Sequence, residues 1–301
     1  MAGDANFASV SLLLHFDGAN GSTTFADSSA VPHTVTAQGG AALSTAQSKF
    51  GGASLAVSGG AFAAVGSSSR LDVATGDFTV EMSIRPTAIG SSGMLINKAE
   101  GTSSGYPFQA FMSASGGLVF RAYNASVQEL FTITSAGGLF SVGDWAHVAL
   151  VRSGSGFAAY VNGAGVGSAT YAGALPSNSS AVSIGAYSNG VAPFSGYIDE
   201  LRITKGLARY TANFSPPAEA FGGPIEIALS GVVRDAADAP AARLVRAVRE
   251  DTGAAVGSVT SDAVTGAYLI ATTYAGAHTL NAYPAAGENL PALTLRGVVP
   301  V

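Results

Sequence analysis

The chain contains no cysteine among its 301 residues, which excludes disulfides and any thiolate metal centre. Charge is scarce too: 14 Lys and Arg stand against 19 Asp and Glu, a formal net charge of −5. The basic residues are scattered. No stripe exists to track a phosphate backbone, so nucleic acid is not expected as a partner. No apolar run approaches the length of a membrane span, and the stretch from Val10 to Phe16 is interrupted by His15. Met1-Ala2-Gly3-Asp4 carries no positive charge of the kind that opens a secretory leader, so none is expected. No segment of helical length holds a 3.6-residue apolar period, which argues against long helices.

What is present points to strands. Thirty-nine glycines and an apolar fraction of 48% suit many short strands joined by tight turns around a large core. Phe78 to Arg85 alternates, with Phe78, Val80, Met82 and Ile84 inward, Thr79, Glu81, Ser83 and Arg85 outward, and Pro86 as the stop. Leu118 to Tyr123 and Val127 to Thr134 flank a short turn. Trp145 to Arg152 and Phe157 to Asn162 flank Ser153-Gly154-Ser155-Gly156. Asn162-Gly163 is the favoured dipeptide of a tight primed turn into Val166 to Tyr171. In Tyr197 to Ile203, alternation puts Tyr197, Asp199, Leu201 and Ile203 on one face and Ile198, Glu200 and Arg202 on the other. Lys205-Gly206 breaks that strand, Leu207 to Tyr210 can make one helical turn, and Pro216-Pro217 stops regular structure.

The expected fold is all-β, an antiparallel jelly-roll sandwich followed by a smaller immunoglobulin- or transthyretin-like β-sandwich. Phe221-Gly222-Gly223-Pro224 is the best boundary, dividing the chain into residues 1–221 and 222–301. Beyond it run six more strand-like segments: Ile225 to Asp235, Arg243 to Glu250, Ala255 to Thr260, Tyr268 to Thr273, His278 to Tyr283 and Ala292 to Val299.

Several ordered motifs carry a family resemblance. Leu12-Leu13-Leu14-His15-Phe16-Asp17-Gly18, Thr24-Phe25-Ala26-Asp27-Ser28-Ser29 and Ser48-Lys49-Phe50-Gly51-Gly52-Ala53-Ser54-Leu55 resemble the opening of laminin-G-like, concanavalin-A-like jelly rolls. Gly76-Asp77-Phe78-Thr79-Val80-Glu81, Trp145-Ala146-His147-Val148-Ala149, Tyr160-Val161-Asn162-Gly163 and the segment from Gly196 to Pro217 continue it in order. The last of these is especially similar to modules of tailed-bacteriophage virion proteins. The segment from Ser230 to Tyr268 resembles a carboxypeptidase-regulatory, transthyretin-like module. The first resemblance implies that the first and last strands of the jelly roll lie side by side. Tyr210 and Phe214 would then plug their seam, and Pro216-Pro217 would begin the linker.

Candidate chemistry is sparse. Glycoside cleavage needs two carboxyl groups flanking one bond. Neighbouring Asp199 and Glu200 point to opposite faces of a strand, so an enzyme is not expected. Gly101-Thr102-Ser103-Ser104-Gly105 fits the spacing of a hydrolase elbow, but Tyr106-Pro107-Phe108 follows where a helix must start. Gly163 to Gly167 is likewise a hairpin rather than a phosphate loop. His15, His33, His147 and His278 have no metal-ligand spacing, and His147 reads as a packed, hydrogen-bonded core residue. The candidate cofactor is a structural calcium, which takes several hard oxygens. Asp17, Asp27, Asp199 and Glu200 are its candidate ligands, since the resemblance makes their strands neighbours. In the competing reading Asp17 and Asp27 cap turns, and Glu200 pairs with Arg202 or Lys205. Tyr106, Tyr123, Tyr171, Tyr187 and Phe194 lie in or beside loops and are candidate platforms for a sugar.

These readings imply a bacteriophage virion protein, a tail or capsid-surface appendage that attaches to a host surface glycan. Alternatives are a purely structural decoration protein and the binding module of a bacterial carbohydrate-active enzyme. Its partners would be other virion proteins and a host glycan, without membrane insertion, and a homo-oligomer stays open. Assembly in host cytoplasm and release by lysis would account for the missing cysteines and leader.

Overall fold

A computed structural model of the chain describes residues 3–99, 105–224, 227–235, 237–274, 276–283 and 293–300. It divides into two compact units, Met1–Gly223 and Pro224–Val301. The strands of the first unit are β1 (Val10–Leu14), β2 (Val35–Gln38), β3 (Ala42–Ser44), β4 (Ser54–Val57), β5 (Phe62–Val65), β6 (Phe78–Pro86), β7 (Gly93–Lys98) and β8 (Tyr106–Met112). There follow β9 (Leu118–Tyr123), β10 (Glu129–Thr134), β11 (Ala146–Ser153), β12 (Gly156–Val161), β13 (Ala164–Thr170), β14 (Val182–Ile184) and β15 (Gly196–Lys205). Gly101 to Ser104 of the elbow-like pentapeptide lie outside the described residues.

Two antiparallel sheets form the sandwich. Sheet I runs β13-β12-β11-β6-β15-β4-β3, with β1 also paired to β15, and sheet II runs β10-β9-β8-β7-β14-β5-β2. Alternation on β6 sends Phe78, Val80, Met82 and Ile84 into the space between them. There they meet Phe108 and Phe120 of sheet II and Phe157 of β12, with ring centroids of neighbours 6.1–6.3 Å apart. The all-β, lectin-like jelly roll expected from the sequence is the fold observed. Asn162 and Gly163 both take positive φ, 50° and 77°, as a primed two-residue turn between β12 and β13 requires.

The first and last strands are neighbours: Leu13 pairs with Arg202 and Leu14 with Leu201. The phase of β15 differs from simple alternation. Its register against β6 shifts between Asp199 and Arg202, and Glu200 sits at φ 49°. This extra residue puts Ile198 on the core side together with Leu201 and Ile203.

After β15 the chain runs back over the outer face of sheet I as a strap. Tyr210 and Phe214 stack on each other, with ring centroids 3.5 Å apart, and pack on Ala149 and Val151 of β11 and Tyr160 of β12. They cover the sheet face, not the β1–β15 seam. Phe221 closes the strap beside β1 instead, packed on Phe7, Val10 and Leu13 and over the Arg202 guanidinium. Pro216-Pro217 therefore lies within the strap and does not begin a linker.

In the second unit the described strands are β16 (Ile227–Val232), β17 (Leu244–Arg249), β18 (Ala255–Thr260), β19 (Ala267–Thr272), β20 (His278–Tyr283) and β21 (Leu293–Val298). β16 pairs with β19, and β18-β17-β20-β21 forms a second sheet. Leu229, Val233, Val245, Ala247, Ile270 and Leu280 are its core. Ile225 and Ala292, at the ends of two expected strands, lie outside the described residues.

Candidate functional site

The four candidate calcium ligands do not form one set. Asp27, buried beside β1, accepts the backbone N–H groups of Leu13, Ser29 and His33 at 2.7–3.0 Å. The Ser29 hydroxyl and His33 Nδ1 add to these at 3.0 and 2.9 Å. Burial pushes this carboxyl up, but the backbone donors of His33, Ser29 and Leu13 outweigh it and hold the group below the usual range. Asp27 is thus a turn cap that fastens the loop after β1 to that strand.

Asp199 and Glu200 sit at the β15 bulge, and Asp17 lies near enough to feel the Glu200 charge. Asp199 Oδ2 accepts the N–H groups of Lys49 and Phe50 at 2.6 and 3.2 Å, and Oδ1 accepts that of Glu200 at 2.9 Å. Glu200 pairs with His15 Nδ1 at 3.0 Å and accepts the Phe221 N–H at 2.8 Å, rather than pairing with Arg202 or Lys205. Arg202 goes to Glu81 and Asp4, and Lys205 Nζ donates to the Ser69 carbonyl. Asp17 is raised by burial and by the Glu200 charge. Burial pushes Asp199 up to about 7, against the pull of the Lys49 and Phe50 N–H groups. The His15 imidazole, which burial alone would lower, is raised by its bond to Glu200.

Among the described residues no three His, Asp or Glu side chains converge to hold a metal ion. The oxygens of Asp27, Asp199 and Glu200 are already engaged by N–H and O–H donors, so the set does not fit a calcium ion. Asp27→Asn, which replaces one accepting oxygen by a donor facing donors, should destabilise the first unit by about 2 kcal/mol. A thermal scan that also shows no calcium-dependent shift in the wild type would agree with this arrangement.

The sugar-platform candidates divide differently. Phe194 is fully buried in the sandwich core, where no ligand can reach it, and is a packing residue rather than a sugar platform. Tyr171, just after β13, is partly buried and packs against the core of the sandwich. Tyr106, Tyr123 and Tyr187 do come together on the outer face of sheet II. Tyr106 meets Tyr123 edge to face at 5.8 Å, and burial followed by the neighbouring Tyr187 raises the Tyr106 phenol.

A residue that motif reasoning missed stands among them. Cross-strand pairing sets Ser183, Asn97, Gln109, Arg121 and Thr132 in one row across β14, β7, β8, β9 and β10. Within this row Gln109 Nε2 donates to Asn97 Oδ1 at 3.1 Å, and Arg121 Nε donates to Gln109 Oε1 at 2.6 Å. The Arg121 guanidinium lies 4.8 Å from the centre of the Phe111 ring and 5.3 Å from that of Tyr123. Alternation in Leu118 to Tyr123 places Arg121 and Tyr123 on one face, which was the available signal.

Ser92, Met94, Phe111, Arg121, Tyr187 and Ala192 line a cleft of about 230 Å³ at this row. The loop carrying Tyr187 is fixed to β7, since Met94 N donates to the Ala192 carbonyl at 2.9 Å. No Asp or Glu lines the cleft among the described residues. The rings and the one cation that line it can stack on a sugar ring and hydrogen-bond its edge, while the buried amides of Gln109 and Asn97 hold the cation from behind.

Comparison with solved structures shows the same fold. The binding domain of Paraclostridial Mosquitocidal Protein 1 superposes with a TM-score of 0.53 at 15% identity, covering 85% of this chain and 64% of that one. The present chain therefore spans less than two thirds of that domain. The botulinum neurotoxin serotype G binding domain gives 0.51 at 11% identity, covering 95% of this chain and 74% of that one. No curated protein sequence matches the chain. The sequence model of the concanavalin A-like lectin/glucanases superfamily, in its laminin-G form, matches residues 58–208. That match takes in β6 to β15 with the whole aromatic face, and half of the chain, so this protein belongs to the concanavalin A-like lectin/glucanases superfamily.

Proposed function

We propose that the chain is a non-catalytic attachment protein of a tailed-bacteriophage virion, whose first unit binds glycan through the outer face of sheet II. The observation that carries the glycan reading is a cleft in which Phe111 and Tyr187 stand beside Arg121, with Tyr123 against the guanidinium and Tyr106 against Tyr123. Hydrolysis needs two carboxyl groups at the bond that breaks. No carboxylate lines this cleft among the described residues, and Asp199 and Glu200 are buried in their own hydrogen bonds. The two superposed solved structures are likewise named as binding domains.

The virion reading rests on the resemblance of the segment from Gly196 to Pro217 to phage modules, and on the absence of cysteine. A virion component folds in host cytosol and reaches the outside by lysis. The second unit, read as a carboxypeptidase-regulatory, transthyretin-like sandwich, would contact other virion proteins. Tyr123→Ala and Tyr187→Ala should each weaken binding to host cells or their isolated surface polysaccharide at least about tenfold, while the melting temperature stays near wild type. A particle lacking the first unit should assemble but fail to adsorb. A particle that adsorbs normally yet breaks easily would make the protein a decoration instead.

A further inference from the structure

We propose that the sugar taken by this cleft is an acidic one, its carboxylate held by Arg121. This deepens the glycan-binding reading and rests on it. Arg121 is half-buried, yet none of the ion pairs among the described residues includes it. The other deeply placed cations of sheets I and II are satisfied internally. Arg202 and Arg209 share Asp4 and Glu81, Lys98 meets Asp72 and the carbonyls of Asn178 and Ser180, and Arg152 donates to three backbone carbonyls. Arg121 spends only its Nε–H, on Gln109. Both Nη groups keep their donors.

The guanidinium cannot turn away to find a partner elsewhere. Gln109, which holds it, is fixed in turn by Asn97, and Asn97 Nδ2 donates to the Ala99 carbonyl at 3.2 Å. These bonds set the oxygen and nitrogen ends of both amides, Gln109 between Arg121 and Asn97, and Asn97 between Gln109 and the Ala99 carbonyl. Phe111 and Tyr123 flank the guanidinium from either side of the row. A planar, immobilised fork with two free amino ends matches the two oxygens of a carboxylate. A partly desolvated cation without an anion is costly, and an incoming carboxylate removes that cost.

The remaining walls suit a sugar as the carrier of that carboxylate. Phe111 and Tyr187 bring rings into the lining beside Arg121, and Ser92 adds a hydroxyl there. At about 230 Å³ the cleft is smaller than the ~300–1,000 Å³ of pockets that engulf drug-sized ligands. It takes one ring, so recognition falls on a single acidic residue at a chain end or a side branch.

Titration calorimetry of the full chain with sialyllactose against lactose, and with trigalacturonate against galactotriose, tests this. At least one acidic member should bind about tenfold or more tighter than its neutral counterpart, and added salt should weaken it. Arg121→Gln should erase that preference without lowering the melting temperature, and Arg121→Lys should restore part of it. Equal binding of acidic and neutral members, or a preference that survives Arg121→Gln, overturns the acidic assignment and leaves the glycan reading standing. Binding of none of the four sugars overturns both.

Discussion

Glu81→Gln is expected to cost the first unit about 3–5 kcal/mol, lowering its melting temperature by roughly 6–20 °C. Glu81 lies on the outer face of β6 but is fully buried, because the strap covers it. Arg202 Nη2 donates to Oε1 at 2.8 Å, and the Tyr210 hydroxyl donates to Oε2 at 2.8 Å. His147 Nε2 lies 3.2 Å from the same oxygen, and Arg209 stands 3.9 Å from Oε1. Asp4 balances the second arginine charge, with Arg202 at 3.0 Å and Arg209 at 2.6 Å. Removing the charge of Glu81 leaves Arg202 buried with half its counter-charge and turns an amide donor toward other donors. Tyr210→Phe deletes one donor only and should cost about 1 kcal/mol, with less than additive loss in the double variant.

The same group sets the acid limit of the fold. Burial alone would push the Glu81 carboxyl up, but the His147 hydrogen bond and the Arg202 charge hold it at about 2, against an ordinary 4.5. A carboxyl lowered in the folded state contributes stability above its unfolded value. That stability is lost as pH falls from about 4.5 through about 2, and amounts to roughly 3 kcal/mol. Asp199 acts in the opposite direction. Its folded value is raised from 3.8 to about 7, so its contribution is fully present below 3.8 and is lost as pH rises through about 7. Melting curves from pH 2 to 8 should therefore show a broad maximum, and Glu81→Gln should flatten the acid limb while leaving the neutral limb in place.

Local chemistry made some of this legible before any coordinates. The inward set of β6 needs only period-two alternation, and Asn162-Gly163 needs only a turn that demands positive φ at both positions. What failed were features that depend on distant partners. Glu81 reads as an outward, solvated acid, and the tyrosine that buries it stands 129 residues later in the chain. Ile198 was given the wrong face because nothing near Glu200 signals a bulge; the extra residue is absorbed against β6 and shows only in their register. Phe194 sits beside loops in sequence, but its ring enters the core, and loop residues carry no periodicity to reveal that. Arg121 gains its meaning from Gln109 and Asn97, whose strands must be paired before the row exists.

The strap itself offers the second large effect. Gly163→Ala is expected to destabilise the first unit by about 3 kcal/mol and to release the strap from β11 and β12. Gly163 combines φ 77° with a close approach, since a Cβ there would collide with the carbonyl oxygen of Phe214. The left-handed backbone penalises alanine by about 1–2 kcal/mol. The collision also forces the strap outward, away from the Phe214 N–H bond to the Gly163 carbonyl and the Asn213 contact with the Gly165 N–H, both 2.9 Å. With Phe214 lifted, its burial against Tyr160, Tyr210 and His147 is reduced, a further 1–2 kcal/mol or so. Gly163→Asn separates the two causes, because asparagine accepts the left-handed backbone but still carries a Cβ. If Asn restores wild-type melting, backbone strain alone governs this turn and the strap is not wedged against it. If Asn and Ala are equally damaging, and both expose the chain between Leu207 and Pro217 to protease, the close approach of two backbones at Gly163 is what seats the strap on the sheet.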